Sequence, residues 1–286
     1  MEPKAVILVI ISAFIHSLWN LMSKKSRNKI VFNWLMISVG TILYLPPFLY
    51  YIFTNKIQIQ STGWQLIILS SVFHVFYFYF LGKSYSYGDL SITYPIARSS
   101  PLFVPFLAYI FLNEKLSLIG ILGIAVILIG IYLLNFSSFN LKLSKNAKKA
   151  VMYALLTAIF SAFYSVNDKL AVSHVYPFCF IYLYIALTSF LYLPIIIRKN
   201  NFREIKIEWK MNNKPILISG CLLIFSYLLI LFAFTIDKVS YIVSLRQLSV
   251  VFGVMFGIFL LKEEHGKRRI IASLIMFIGF FLVVIA

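Results

Sequence analysis

The residue pattern predicts an all-α membrane protein, with ten transmembrane helices laid out as two inverted five-helix repeats. Three observations carry that expectation. The first is composition. Of 286 residues, 61% are hydrophobic and only 12% are charged, and the mean hydropathy is +0.92. A soluble domain is about 45–50% apolar and about a quarter charged, so these residues cannot build a water-facing surface. A disordered chain is excluded on the same ground. The second observation is the length of the apolar runs, and the third is a repetition along the chain at a constant offset.

A helix needs about 20 apolar residues to cross the hydrocarbon core. Ten such runs occur, at 4–22, 30–53, 64–82, 90–112, 118–136, 149–167, 177–198, 214–234, 239–261 and 269–286. Backbone groups in lipid must bond within their own segment, which makes helices the economical reading of each. The connections are short, and the longest is expected to be the polar stretch 199–213. Glu2, Asp89, Glu114, Asp168, Glu204, Glu208, Asp237, Glu263 and Glu264 all fall at or near predicted helix ends, so no carboxylate is expected at membrane depth. The N-terminus lacks a basic leader and a small-residue cleavage site, and its first helix is expected to be retained. Cys179 and Cys221 lie in apolar runs, where they are expected to pack as small buried hydrophobes without a disulfide.

The formal net charge is +17, from 26 Lys and Arg against 9 Asp and Glu. No basic face for a nucleic acid can be assembled from so apolar a chain. Most of the cations fall in loops that follow odd-numbered spans. The other side holds only Lys4, Lys56, Lys115, Lys169 and Lys238. Lys and Arg in short loops stay cytoplasmic, so the odd loops are expected inside the cell membrane and both termini outside. Two cations, Arg98 and Arg246, fall inside spans.

Sliding the sequence by 149 lays YSYGDLSITYPIARSSP (85–101) over FTIDKVSYIVSLRQLSV (234–250). The same offset lays FLNEKLS (111–117) over LLKEEHG (260–266), and Gly130 over Gly279. Near the start of each half the offset is 145, where Trp19, Asn20 and Lys24 meet Tyr164, Ser165 and Lys169. Ordered matches at constant spacing indicate duplication, with residues 1–140 as the first repeat and 141–286 as the second. Five spans per half is an odd number, so the second copy must enter the membrane inverted. A pseudo-two-fold axis then lies in the membrane plane, as in many carriers.

With these residues in hand, the chain resembles the drug/metabolite transporter superfamily, EamA type. The likeness rests on a polar-aromatic first helix ending in Lys in each half (WNLMSK, YSVNDK) and on the FLNEKLS and LLKEEHG signatures, and it covers the whole chain. HSLWN (16–20) and GDLSITYPIAR (88–98) further resemble a subgroup of EamA transporters, some of them associated with phosphonate-utilisation genes. The substrate of that subgroup is poorly defined. The resemblance implies ten helices and a transport function. In small four-helix exporters of the superfamily a proton-coupling glutamate stands eight residues before a lysine of the first helix. Here that position is His16, eight residues before Lys24, and Ser161 in the second half, which speaks against a carboxylate-driven cation exporter.

An ionisable group within a span marks a functional site by default. Arg98 lies among Pro95, Pro101 and Pro105, which remove helix hydrogen bonds and loosen the backbone. A guanidinium there suits a carboxylate, phosphonate or phosphate, which it can clamp with two bonds. Arg246 sits at a similar depth in the ninth span. It is one residue out of register with Arg98, whose counterpart is Gln247; a snorkelling or carbonyl-binding role fits it equally. His16 and His74 can titrate near neutrality or pack as bonded core imidazoles. Trp19, Asn20, Tyr77, Tyr94 and Tyr164 accompany these polar positions, with Tyr77 on the same helix face as His74, and as a set could line a cavity. The candidate binding residues are therefore Arg98, His16, Trp19, Asn20, Tyr77, Tyr94, Tyr164, His74, Arg246 and Gln247.

Gly253 with Gly257, and Gly120 with Gly123, are expected to allow close helix packing. Glu114 and Glu263 are expected to pair with Lys115 or Lys262, or to cap helix ends. No histidine pair has metal-ligand spacing within one helix, so no metal and no cofactor are expected. The expected partners are a small-molecule substrate, the lipid bilayer and a coupling proton, with no nucleic acid, in a monomer or homodimer. A secondary carrier of a small polar metabolite, amino-acid-like or anionic, fits these features best. The alternatives are an intramembrane enzyme, which needs a nucleophile and base at depth, a drug or cation exporter, and a channel, which needs repeated filter groups.

Overall fold

The computed structural model describes residues 1–87, 93, 96–133, 145–199, 202–252, 255 and 266–286. Among them there is no strand. The helices are α1 (Pro3–Lys25), α2 (Lys29–Asn55), α3 (Ser61–Tyr87), α4 (Val104–Leu112), α5 (Leu118–Leu133), α6 (Lys145–Ala171), α7 (Pro177–Lys199), α8 (Phe202–Ile236), α9 (Val239–Leu245) and α10 (Gly266–Ile285), with a short 3-10 turn at Ser100–Leu102. Six are long and apolar enough to cross a membrane: Pro3–Ser23, Lys29–Asn55, Ser61–Tyr87, Asn146–Ala171, Pro177–Arg198 and Phe202–Ile236. Leu118–Leu133, Val239–Phe252 and Ile271–Ile285 are shorter apolar helices.

Local chemistry sets the ends. Pro3 opens α1 in its first turn, where a missing N–H is harmless. The Asn28 side chain accepts from the Val31 N–H at 3.3 Å and caps α2. Helices α2 and α4 end on left-handed residues, Lys56 (φ 48°) and Asn113 (φ 51°). Glu114 caps α9 from across the molecule: its carboxylate accepts from the Val239 N–H at 2.8 Å and the Ser240 hydroxyl at 2.9 Å. Of the two roles expected for Glu114, this is the helix cap. Lys169 closes the other side of the same corner by donating to the carbonyls of Phe234 and Asp237 at the end of α8.

One expectation about the connections is corrected. The stretch 199–213 is not an extended polar loop, because α8 begins at Phe202 and runs into it. Only Asn212 departs from helical backbone (φ −130°, ψ 24°), where Pro215 disfavours helix upstream of itself. Glu208 is buried there, accepting from the Asn28 N–H at 2.9 Å and the Asn212 amide at 2.7 Å. Asp168, expected near a helix end, stands three residues before the end of α6 and is fully buried there. Cys179 is a buried free thiol as expected, whereas Cys221 is exposed.

Helix α3 packs on α6, α1 on α8, α2 on α7 and α8, and α5 on α10. Glycines make the tightest crossings. A methyl on Gly220 would stand 2.8 Å from the Met36 carbonyl and 2.9 Å from the Gly40 nitrogen, so α2 and α8 touch backbone to backbone. At the α5–α10 crossing, Gly130 abuts the Ala272 carbonyl and Met276, while Gly279 abuts the Gly123 carbonyl and Ile127. Gly120 packs against the Tyr241 ring, and Gly123 against Gly279, both in the packing role expected. Gly253, Gly257 and Glu263 lie outside the described residues. Large apolar side chains such as Phe53, Phe106, Leu118 and Phe190 cover the exterior.

We predict that Gly220→Ala destabilises the protein by about 1–3 kcal/mol through overpacking, read as a lower melting temperature of the detergent-purified protein. An unchanged melting temperature would show that the crossing yields freely.

Candidate functional site

Both buried arginines sit where a helix is broken. Pro101 and Pro105 cannot donate the backbone bonds a continuous helix would need. The chain after Ala97 therefore advances by tight turns: Ser99 N–H to Ile96 O at 3.1 Å, Leu102 to Ser99 at 2.9 Å and Phe103 to Ser100 at 2.9 Å. Arg98 lies in this break. The second break has no proline. Helix α9 ends at Leu245, and the next bonds are again tight: Gln247 N–H to Ser244 O at 3.1 Å, Ser249 to Arg246 at 3.1 Å and Val250 to Gln247 at 2.8 Å. Arg246 caps it. The Val243 carbonyl, left without the Gln247 N–H, instead accepts from the Gln247 side-chain amide at 3.1 Å. The Gln247 amide thus holds the break, while its Oε1 is buried without a hydrogen bond.

The two guanidiniums meet on one imidazole. Arg98 Nη2 contacts His16 Nε2, and Arg246 Nη2 lies 3.3 Å from His16 Nδ1. His16 is 2% exposed and each arginine 7%. A neutral imidazole accepts through one nitrogen only and carries a proton on the other, so it can satisfy one of these donors at most. Two further donors have no hydrogen-bond partner: Arg246 Nε and Trp19 Nε1 are both buried. The Trp19 ring stands edge-on to His16 at 4.5 Å between centroids.

His16, Trp19 and Arg246 border a narrow cavity of about 30 Å³ between α1, α2, α3, α6, α7 and α8. Aromatic rings form its opposite wall. His74 is stacked between Tyr164 at 4.1 Å and Tyr184 at 4.5 Å, and Tyr227 stands edge-on to all three. The Arg246 guanidinium lies over the Tyr227 ring at 5.0 Å, a cation–π contact that helps hold its charge at depth. Of the residues singled out from sequence, His16, Trp19, His74, Tyr77, Tyr164 and Arg246 line the cavity, and Arg98 reaches it through His16. Asn20 does not; its amide donates to the His16 carbonyl at 2.9 Å. Tyr94 lies outside the described residues.

Sequence reasoning missed Tyr184, Tyr227 and Asp168. Ser226 and Tyr227 are the polar pair in the aliphatic run LLIFSYLLILF, a usable signal. Asp168 was hidden by its nearness to the span's end. Its carboxylate accepts from the Ser70 and Tyr227 hydroxyls, each at 2.6 Å.

With this geometry established, the comparisons with known proteins are decisive on family. The model of the EamA-like transporter family matches residues 3–136 and again 148–285. The chain belongs to the EamA-like transporter family. Its EamA domain is duplicated, and it is a multi-pass membrane transporter of the drug/metabolite superfamily, whose EamA members are transporters and not enzymes. No curated protein matches it. A solved structure described as "Crystal structure of protein" is similar over 100% of this chain and 98% of its own, with a TM-score of 0.77 at 12% identity, a likeness of fold alone.

We predict that Tyr227→Phe, which leaves the buried Asp168 carboxylate one donor short in this EamA protein, lowers stability by about 1–3 kcal/mol. Thermal denaturation in detergent measures it, and no loss would show that the bond contributes nothing.

Proposed function

We propose that this EamA transporter is a secondary carrier of the cell membrane, moving a small metabolite with an anionic group by alternating access between two inverted repeats. One observation carries the substrate class: two buried guanidiniums converge on a single imidazole, which can accept from only one of them. A carboxylate, phosphonate or phosphate offsets the paired positive charge and can accept from Arg246 Nε, which makes no hydrogen bond. The unpartnered Arg246 Nε and Trp19 Nε1 favour the same ligand. Broken helices at matching places in two halves are the usual setting of such a site, because unwound backbone is tolerated only where protein or cavity covers it. The loops holding most of the cations face the cytoplasm in this reading.

The packing supports inverted halves. Exchanging the first five helices for the last five turns the α3–α6 contact into α8–α1, and α2–α8 into α7–α3; all four occur. Adding 149 to Gly130 gives Gly279, and subtracting it from Ala272 and Met276 gives Gly123 and Ile127, the neighbours observed at Gly279. Such a molecule opens to either side by rocking one half on the other around a fixed site.

The test is thermal-shift screening of the purified protein against small carboxylates, phosphonates and phosphates, repeated on Arg98→Gln and Arg246→Gln. A charge-assisted bond is worth about 1.5–3 kcal/mol, so each variant is expected to bind the anionic hit roughly 10- to 100-fold more weakly. Equal affinity in wild type and both folded variants refutes the reading, as does a hit list confined to cations.

A further inference from the structure

Asp168 takes no part in holding an anion, yet it is the fully buried carboxylate of α6. Burying a carboxylate costs several kcal/mol unless partners receive it. The partners here form two branches leading to the cavity. In one, Ser70 Oγ donates to Asp168 at 2.6 Å and lies 3.2 Å from His74 Nδ1, whose ring lines the cavity. In the other, the Tyr227 hydroxyl donates to Asp168 at 2.6 Å while its ring lies under the Arg246 guanidinium. The groups that face Asp168 from the packed elements are His74 on α3, Tyr184 on α7, Tyr227 on α8 and Arg246 at the end of α9, with Tyr164 on its own helix. Helix α4 brings Tyr109 alone, which faces outward. Lys169 is turned away to the carbonyls of α8.

We infer that Asp168 is the proton-carrying residue of this transporter, and that a proton on Asp168 and an anion at Arg98 and Arg246 bind with mutual support, so that the two cross together. The inference rests on the anion reading above and gives it a driving ion. The carboxylate and the substrate's anionic group are linked through Tyr227, whose hydroxyl donates to Asp168 and whose ring carries the Arg246 guanidinium. When water on the open side delivers a proton to a carboxylate oxygen of Asp168, an O–H bond forms and the negative charge is lost. The Arg246 charge is then free for the anion. Linkage is reciprocal, so the bound anion favours the protonated acid to the same degree. On the far side the anion leaves and the O–H bond breaks, returning the proton to water. Transfer of a monoanion is electrically neutral.

Sulfate keeps its charge across the pH range of the test and serves as the probe. Its affinity for the purified protein is measured by thermal shift from about pH 5.5 to about pH 8, together with proton uptake on sulfate addition in weakly buffered solution. Wild type is expected to bind sulfate at least about fivefold more tightly at the acid end and to take up protons as it binds. Asp168→Asn is expected to bind with no pH dependence and no uptake. The inference is overturned if uptake persists in Asp168→Asn. If sulfate binds neither protein, the anion reading fails separately, and the carboxyl stretch in infrared pH-difference spectra decides the proton role. A protonated band present in wild type and absent in Asp168→Asn sustains it; an identical spectrum in both overturns it. Should Asp168→Asn not fold, Asp168→Glu must displace that band, and an unmoved band has the same consequence.

Discussion

Hydrocarbon offers a peptide group nothing to bond with, and the rest of this structure follows from that. It forces the chain into helices wherever lipid is the neighbour. It permits a break only where other helices cover the exposed backbone. The turn after Arg98 packs on α6 and α9, and α9, which leads into the Arg246 break, packs on α1, α6 and α8; there a side chain takes over a lost bond. Gln247 does this for the Val243 carbonyl. A guanidinium at such a place is held by geometry that lipid-facing helix could not provide, and the two converge on the His16 imidazole.

The same constraint sorts the charges. A strongly cationic chain stays in the membrane because its Lys and Arg stand at helix ends, where Lys169 caps α8 and Glu114 caps α9. Those contacts stabilise the ends and fix the entry of α9, whose far end presents Arg246. Capping at one surface therefore sets the angle at which a guanidinium arrives in the interior.

Much of this was legible from the residues. Runs of apolar length located the long helices, since lipid demands the same twenty residues whatever the function. Prolines 101 and 105 announced the first break, and Arg98 beside them was singled out for that reason. The second break was not legible. SLRQLS holds neither Pro nor Gly, and the backbone yields there through serine bonding to preceding carbonyls, as Ser244 does to Ser240. Helix 202–212 was misread as loop because its charged face resembles a connection; burial of Glu208 against α2 is a tertiary fact that no local pattern carries. Asp168 was misjudged for the opposite reason. Its position looked peripheral, but α6 extends past it and α3 and α8 close over it.

The departures from the repeat carry the most information about direction. Two identical halves on a two-fold axis would be equally stable open to either side, leaving the preference to ligands alone. At the offset of 145, Ser161 stands where the first half has His16, and Asp168 where it has Ser23. Ser23 donates to Asn33 at 2.8 Å and stays neutral, whereas Asp168 gathers two hydroxyls and the field of Arg246. One end of the proposed carrier therefore holds an ionisable group, and its mate holds a hydroxyl. In the proposed cycle the charge of Asp168 follows the proton supply of whichever side is open, while that of Ser23 does not change. An imbalance of that kind, set by a single residue pair, is enough to make an otherwise symmetric rocking motion respond to an ion gradient.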